Sequence, residues 1–224
     1  TPSVPVVEFT DTYGNLCQRL VAPPGRFKIH TTAQVMTSDV VEKASGAPFV
    51  DIPMLPDEVL IFLLPSRYCE SESFNQMAVE ITAGQLLGYD QVESIETWLR
   101  ETISYIPGSS DDPISAIDVN QKQSGVCRDL AHLGIALCRA ISIPARLVVG
   151  YNHGLVPMDM HAWFEAYVGG RWYAFDATQE EITPGYVAIG YGRDAADVAV
   201  YNQFGPSVYP ISQDVSVELV EVKE

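Results

Sequence analysis

The sequence is poor in basic residues, and this shortage excludes several kinds of partner. Its 224 residues contain 13 Lys and Arg against 29 Asp and Glu, which gives a formal net charge of −16 at pH 7. Nucleic acids and anionic membrane surfaces both attract clustered Lys and Arg side chains. We therefore expect no nucleic-acid partner and no membrane partner, and a cationic or neutral substrate suits this charge better.

Long apolar runs are also missing. No segment approaches the roughly twenty apolar residues that a membrane-spanning helix requires, and no signal-peptide pattern opens the sequence. The chain begins Thr1-Pro2 without an initiator Met, which we interpret as a piece or a processed form of a longer protein. A hydrophobic content of 47% with 19% charged residues predicts a soluble protein with a substantial core.

Cysteine is scarce, and the common metal-binding and phosphate-binding patterns are absent. The chain has 4 Cys, with no Cys-x-x-Cys pair and no zinc-protease spacing of His, so we expect no metal and no cofactor. If one cysteine must remain a thiolate, the other three cannot complete a disulfide framework. This content favours a reducing compartment, and we expect the protein in the cytoplasm.

One of these cysteines, Cys127, is predicted to open an apolar helix. Between Val126 and Ile141 apolar residues recur at helical spacing, namely Leu130, Leu133, Leu137 and Ile141. Ser124 is a candidate N-cap, and Pro144 ends the pattern. A thiol in the first turn lies beside unpaired backbone N–H groups and the positive end of the helix dipole, which favour a thiolate. The backbone N–H of the same residue can stabilise an oxyanion.

A β-hairpin is predicted downstream of this helix. Residues 161–168 form an apolar strand, Gly169-Gly170 turns the chain, and residues 171–176 run back. A two-residue Gly-Gly loop is a strong hairpin signal, and it pairs Val168 with Arg171.

The register of this hairpin brings an imidazole and a carboxylate together. It places four side chains on one face, those of His161, Trp163, Asp176 and Thr178. His161 and Asp176 become diagonal neighbours, about 7–8 Å apart along the backbone and within hydrogen-bond reach of each other's side chains. The carboxylate then fixes the imidazole tautomer and leaves the second nitrogen for the thiol of Cys127. This combination predicts acyl-transfer chemistry.

These residues lie in motifs that resemble the transglutaminase-like superfamily. The motifs are Gly125-Val126-Cys127-Arg128-Asp129, Leu137-Cys138-Arg139-Ala140, Ile143-Pro144-Ala145-Arg146, His161-Ala162-Trp163 and Phe175-Asp176-Ala177-Thr178. More closely, the chain resembles the bacterial branch, whose members are often described as candidate cysteine proteases. Two flanking motifs extend that likeness, Pro65-Ser66-Arg67-Tyr68-Cys69 and Gly192-Arg193-Asp194-Ala195-Ala196-Asp197-Val198. The family often has Asp-Pro-Thr where this chain has Asp-Ala-Thr, which leaves the carboxylate in place.

The resemblance covers residues 60–205 well and the first sixty loosely. It implies an α+β protein with a papain-like core, in which a nucleophile helix packs on an antiparallel sheet. Within that core it implies Cys127 as nucleophile, His161 as base and Asp176 as orienting acid. We interpret residues 1–64 as a β-rich, incomplete N-terminal segment and residues 65–224 as the catalytic domain, including C-terminal strands.

Smaller predictions complete the outline of the chain. We expect strands at residues 27–36, 145–151 and 216–222, helices at 73–87 and 92–103, and turns braced by Asp194 and Asp197.

The second oxyanion donor is open. Papain-type enzymes use a Gln ahead of the nucleophile, for which Gln121 is the nearest analogue. Animal transglutaminases use an upstream Trp, for which Trp98 is the candidate, although its helical spacing indicates packing. For substrate contacts we note Trp163, on the catalytic face, and His153, a loop residue that is the rival imidazole or a rim contact. We expect His132, in the middle of the nucleophile helix, to serve packing.

The predicted reaction is attack of a thiolate on an amide carbonyl, giving a thioester. With water as the second nucleophile the protein is a cysteine peptidase or amidase, which the bacterial resemblance favours. With an amine it is a protein-glutamine transglutaminase. The alternative from another class is a non-catalytic binding or assembly module, which is less favoured because degenerate members usually lose Cys, His or Asp. We expect a peptide or protein amide as the substrate, and exposed sheet edges of the N-terminal segment favour a homo-oligomer.

Overall fold

The computed structural model describes residues 2–109, 112–199, 201–206 and 209–220. Its strands are β1 (Val6–Thr10), β2 (Leu16–Leu20), β3 (Ser104–Tyr105), β4 (Ser124–Gly125), β5 (Ala145–Asn152), β6 (His161–Val168), β7 (Arg171–Phe175) and β8 (Tyr186–Gly192). Its α-helices are α1 (Asp57–Leu60), α2 (Asn75–Ile81), α3 (Tyr89–Thr102), α4 (Ala116–Lys122) and α5 (Cys127–Ala140). Short 3₁₀ helices lie at Ile52–Met54, Ile61–Leu63 and Ser71–Ser73. Among these helices, none combines the length and the apolar character needed to cross a membrane.

A four-stranded antiparallel sheet lies at the centre, with strand order β7-β6-β5-β8. The hairpin prediction is confirmed, because Val168 pairs with Arg171 across two glycines with positive φ, at 59° and 87°. Positive φ at both turn positions is what a two-residue loop between twisted strands requires. β7 ends at Phe175, so Asp176 follows the strand directly.

Helix α5 is buried along almost its whole length and packs on β6. Every residue from Asp129 to Arg139 is buried, which exceeds the sequence prediction, because an apolar stripe predicts burial of one helix face only. Gly134 permits the close approach, since a Cβ there would lie 2.7 Å from the ring of Phe164 on β6. The predicted helix over residues 126–141 and the predicted α+β class are both confirmed. This packing holds the N-terminus of α5 beside the start of β6.

A buried arginine joins the chain segments that flank this core. Arg139, 4% exposed, donates hydrogen bonds to the carbonyl oxygens of Ala145 at 2.7 Å, Arg193 at 2.8 Å and Leu64 at 3.0 Å. It also donates to the hydroxyl of Ser66 at 3.0 Å. Burial lowers the pKa of Arg139, yet these acceptors replace the water that the guanidinium loses.

Buried Asp194 and buried His132 hold further segments of the chain against α5. Asp194 accepts from the backbone N–H of Tyr68 at 2.7 Å and from that of Ala196 at 2.8 Å. His132 stacks on the Tyr68 ring and bonds the carbonyl of Ile114 through Nδ1 at 3.1 Å. Burial lowers the pKa of His132 to about 4, so it is a neutral core residue, as predicted.

The turn after β8 is braced as predicted. Asp194 bonds within it as described above, and Asp197 accepts from the guanidinium of Arg193 at 2.7 Å and from the hydroxyl of Tyr13 at 2.7 Å. The motifs at residues 65–69 and 192–198 therefore meet at the C-terminal half of α5.

Two of the predicted helices and one of the strands keep their place with altered ends. The helix predicted at 92–103 is confirmed as α3, and the strand at 145–151 is confirmed as β5. The helix predicted over residues 73–87 was too long, since α2 covers Asn75–Ile81. Gly84 follows with φ of 82°, a left-handed conformation that ends helical geometry.

Two other strand predictions were wrong. Residues 27–36 are irregular and largely exposed, and residues 216–220 have no strand either, while 221 and 222 lie outside the described residues. Alternation of apolar residues makes a strand only where a neighbouring strand supplies backbone hydrogen bonds, and within the described residues neither segment is paired.

The N-terminal segment contains less sheet than predicted. Within residues 2–64 the strands are those of the β1–β2 hairpin. Residues 44–49 instead pack on the core: the N–H of Phe49 donates to Leu87 at 3.0 Å, and the N–H of Gly169 donates to Pro48 at 2.8 Å. The division at residue 64 stays a prediction of the sequence.

Replacing Arg139 by Met is expected to lower the free energy of unfolding by about 3 kcal/mol, because several buried carbonyl groups lose their donor. Chemical denaturation of both proteins measures the difference. Arg19→Met, at an exposed position on β2, is the control and is expected to change stability by less than about 0.5 kcal/mol. An equal small change in both variants would contradict a bracing role for Arg139.

Candidate active site

Cys127 is the first residue of α5, and its backbone N–H therefore has no partner within the helix. Ser124 does not cap this helix, contrary to prediction, because it lies in β4 and pairs with Ser104 of β3. Asp129 caps the N-terminus of α5 instead, because its fully buried carboxylate accepts a hydrogen bond from the N–H of Val126 at 3.2 Å. The half-buried thiol of Cys127 is thus placed at a rigid helix start.

His161 and Asp176 are joined by a hydrogen bond. The distance from His161 Nε2 to Asp176 Oδ2 is 2.6 Å, and the two residues are 1% and 2% exposed. His161 is the first residue of β6 and Asp176 directly follows β7, so the hairpin register brings the two side chains together, as we expected from the sequence.

The Asp176 carboxylate accepts hydrogen bonds at both oxygens. Oδ1 accepts from the N–H of Thr178 at 3.0 Å and from its hydroxyl at 2.7 Å. Oδ2 accepts from His161 and from the hydroxyl of Tyr186, each at 2.6 Å. Burial raises the pKa of Asp176, but the hydrogen bonds lower it more, so the net pKa lies below its usual value. The carboxylate is therefore an anion despite its burial.

The backbone of Asp176 is also held, by a carboxylate on α3. Its N–H donates to Glu96 Oε1 at 2.7 Å. Burial raises the pKa of Glu96, and Arg100 lies 3.3 Å from its other oxygen. Arg100 in turn donates to the carbonyl of Gln179 at 2.8 Å. Together these contacts fix the turn that contains Asp176.

The second imidazole nitrogen of His161, Nδ1, does not contact Asp176. Nδ1 is buried without a hydrogen-bond partner among the described residues, and Cys127 interacts with the imidazole ring. Burial lowers the pKa of His161, but interactions with Asp176 and Cys127 raise it more, to about 10. The imidazole is therefore a cation at neutral pH.

Aromatic side chains enclose this group. The ring of Trp163 stacks near His161, with 6.1 Å between ring centroids, and Tyr186 meets Trp163 edge-on at 5.1 Å. The indole N–H of Trp163 is buried and has no acceptor in the described part of the chain. Tyr105, paired with Gly125, lies on the nucleophile side, where burial and the charges of Cys127 and Asp176 raise its pKa to about 12. Trp163, Cys127 and Asp176 line one narrow cleft that has no room for a water molecule.

The other sequence candidates lie apart from the thiol. Gln121 is exposed on α4, and Trp98 packs against the core from α3; neither lines the cleft at Cys127. Their oxyanion roles remain predictions. His153 is an exposed loop residue whose N–H donates to the carbonyl oxygen of Gly185 at 3.1 Å, and its contact with a substrate remains a prediction.

Two residues of the site were missed by sequence reasoning, Tyr186 and Glu96. Tyr186 opens β8, which pairs with β5 rather than with its sequence neighbour β7, so no local pattern linked it to Asp176. Glu96 has the i,i+4 spacing of a surface ion pair with Arg100, which conceals its inward hydrogen bond. Among the described residues, no group of His, Cys, Asp and Glu is arranged to hold a metal ion.

The pKa of His161 predicts a pH-dependent stability. Its folded pKa of about 10 lies above the unfolded value of about 6.5. The charged imidazolium therefore stabilises the fold fully below about pH 6.5, and this contribution is lost as the pH rises towards 10. We expect the difference in unfolding free energy between wild type and His161→Gln to shrink over that range. Denaturation at several pH values measures it, with His153→Gln as the exposed control, and a difference independent of pH would contradict the assignment.

The sequence and the fold of this chain are similar to those of known proteins. The model of the transglutaminase-like superfamily matches residues 75–177. A solved structure from Cytophaga hutchinsonii, described as a candidate cysteine protease, is 37% identical in sequence, and the match covers 89% of this chain and 70% of that chain with a TM-score of 0.73.

Curated relatives give a similar result over a shorter stretch. An uncharacterised protein of Mycobacterium leprae (strain TN) is 36% identical over 134 residues, which is 56% of this chain and 48% of the relative. One of Mycobacterium tuberculosis (strain ATCC 25618 / H37Rv) is 31% identical over 132 residues, 50% of this chain and 42% of the relative. This chain spans about half the length of these relatives. The superfamily match includes Cys127, His161 and Asp176, and the Cytophaga relative shares the fold, so the chain belongs to the transglutaminase-like superfamily.

Proposed function

We propose that this protein is a thiol-dependent acyl-transfer enzyme that hydrolyses amide bonds, with Cys127 as nucleophile. The observation that carries the proposal is the buried His161 imidazole, which lies 2.6 Å from Asp176 and interacts with Cys127. A nucleophile, a base and a group that orients the base are the three parts that covalent acyl transfer needs.

The acylation step follows from this arrangement. The Cys127 thiolate attacks the amide carbonyl carbon, a C–S bond forms, and the carbonyl π electrons move to oxygen. The Cys127 N–H at the helix start donates to that oxyanion. The His161 imidazolium gives its proton to the amide nitrogen, the C–N bond breaks, and a thioester remains. Asp176 stays ionised throughout and keeps the imidazole oriented.

Deacylation uses the same groups in reverse order. His161, now neutral, takes a proton from water while the oxygen attacks the thioester carbonyl. The second tetrahedral intermediate collapses, the C–S bond breaks, and the acid product leaves. The proton on His161 restores the imidazolium beside the Cys127 thiolate.

Hydrolysis is preferred because a 37% identical relative, covered over 70% of its length, is described as a candidate cysteine protease. A protein-glutamine transglutaminase is the second candidate, since the matching family model is that of the transglutaminase-like superfamily and an amine can take the place of water at the thioester. A peptide or protein amide is the proposed substrate class for both. A non-catalytic module remains the alternative that the experiments below would reveal.

Two further parts of the proposal concern the cellular compartment and the oligomeric state. All four cysteines are free thiols, which suits the reducing cytoplasm that we propose as the compartment. The β1–β2 hairpin forms a separate two-stranded sheet, and its exposed apolar residues, including Val7 and Leu16, support the proposed homo-oligomer.

Alkylation by iodoacetamide tests the nucleophile without a substrate. At neutral pH we expect Cys127 to react at least about tenfold faster than half-buried Cys17, because a nearby imidazolium and a helix N-terminus stabilise its thiolate. Mass spectrometry of digested protein locates and times the label. His161→Ala should slow labelling at Cys127 and leave Cys17 unchanged, and equal rates at both thiols in both proteins would sink the enzyme assignment.

Turnover of peptide amides tests the reaction. Cys127→Ala should lower the rate of amide hydrolysis by roughly a thousandfold or more, since the nucleophile is lost, whereas Cys17→Ala should not change it. Incubation of a glutamine-containing protein with a fluorescent primary amine measures transfer in parallel. Amine incorporation that exceeds hydrolysis would establish the transglutaminase instead, and a lack of both reactions despite a reactive Cys127 would favour a binding module.

A further inference from the structure

Tyr186 makes the second contact to the carboxylate oxygen that holds the candidate base. Its hydroxyl donates to Asp176 Oδ2 at 2.6 Å, and His161 Nε2 lies at 2.6 Å from the same oxygen. Two short, charge-assisted hydrogen bonds therefore converge on one atom. The Thr178 donors occupy the other oxygen, so they do not compete with the imidazole directly.

The fold places Tyr186 there from a different strand. It is the first residue of β8 and pairs with Asn152 at the end of β5. Its ring meets Trp163 edge-on at 5.1 Å and lies 6.0 Å from the His161 ring. Tyr186 therefore contacts the His161–Asp176 pair from the β8 edge of the sheet, whereas β7 lies at the other edge.

We infer that Tyr186 is a positioning residue that sets the proton affinity of His161 through their shared oxygen. This inference deepens the proposed function and rests on it. A phenol O–H on Oδ2 draws negative charge towards itself and leaves less for the imidazolium. The imidazolium is then a stronger acid than it would be beside Asp176 alone, and it protonates the leaving amine more readily.

The hydroxyl is able to play this part over the whole working pH range. Burial raises the pKa of Tyr186, and the charge of Asp176 raises it further. The side chain is therefore a neutral O–H donor at neutral pH, where Asp176 is an anion. Its aromatic packing is separable from this hydrogen bond, because the ring contacts Trp163 and His161 while the hydroxyl contacts Asp176.

Tyr186→Phe separates the two roles, since it keeps the ring and removes the donor. Histidine ¹⁵N NMR titration of the full chain reads the His161 pKa directly, and His161→Gln assigns the signal. We expect the His161 pKa to rise by about 0.5–1 pH unit in Tyr186→Phe. The control is Tyr173→Phe, which removes a hydroxyl from β7 while Asp176 keeps all its donors, and it should leave the titration unchanged.

The outcomes separate a tuning role from simple packing. A raised His161 pKa in Tyr186→Phe alone, with thermal stability near that of wild type, supports the inference. An unchanged His161 titration overturns it, whether or not the melting temperature falls. Because the readout is a proton on His161 and not turnover, it remains decisive if the protein hydrolyses no amide, and a failure of the proposed function is recognised separately by the Cys127 variants.

A second measurement covers the case in which Tyr186→Phe does not fold. Protein with 3-fluorotyrosine incorporated at position 186 alone, by site-specific suppression, carries a more acidic phenol there, which is a stronger donor to Asp176. The His161 pKa should then fall relative to unlabelled protein. A His161 pKa that stays the same or rises on fluorination would overturn the inference.

Discussion

The buried Asp176 carboxylate is the constraint on which the rest of the site depends. An isolated anion in a protein interior is unstable, so the fold must surround it with donors. Those donors come from different elements: His161 from β6, Thr178 from the following turn and Tyr186 from β8. Satisfying one charge therefore fixes the relative positions of three segments, and the imidazole is oriented as a consequence.

A second constraint brings the thiol to that imidazole. Helix α5 can lie close to β6 because Gly134 has no side chain to separate it from Phe164. At the other end of the helix, Arg139 and buried Asp194 bind backbone groups of the flanking segments. The likeness to the bacterial branch outside the core thus has a structural reason, since those motifs keep the helix, and hence Cys127, in place.

The charged groups at the site balance one another. His161 carries a positive charge next to an anionic carboxylate and a thiol, so the buried group is an ion pair rather than a lone charge. Glu96 adds a further, half-buried carboxylate that holds the Asp176 backbone, and Arg100 balances its charge. In the proposed acyl transfer, the proton would move between the sulfur, the imidazole nitrogen and the reacting amide, as general acid–base catalysis requires.

The sequence by itself determined the local parts of this protein. Helical spacing located α5, the Gly-Gly turn set the hairpin register, and that register alone predicted the meeting of His161 and Asp176. Prediction from the sequence failed where the structure depends on a partner far away along the chain. Residues 27–36 alternate like a strand but have no strand beside them. Ser124 pairs with Ser104 in β4 instead of capping α5. Only the tertiary structure placed Tyr186 and Glu96 on Asp176, because β8 and α3 reach that carboxylate through non-local packing that leaves no periodic trace in the chain.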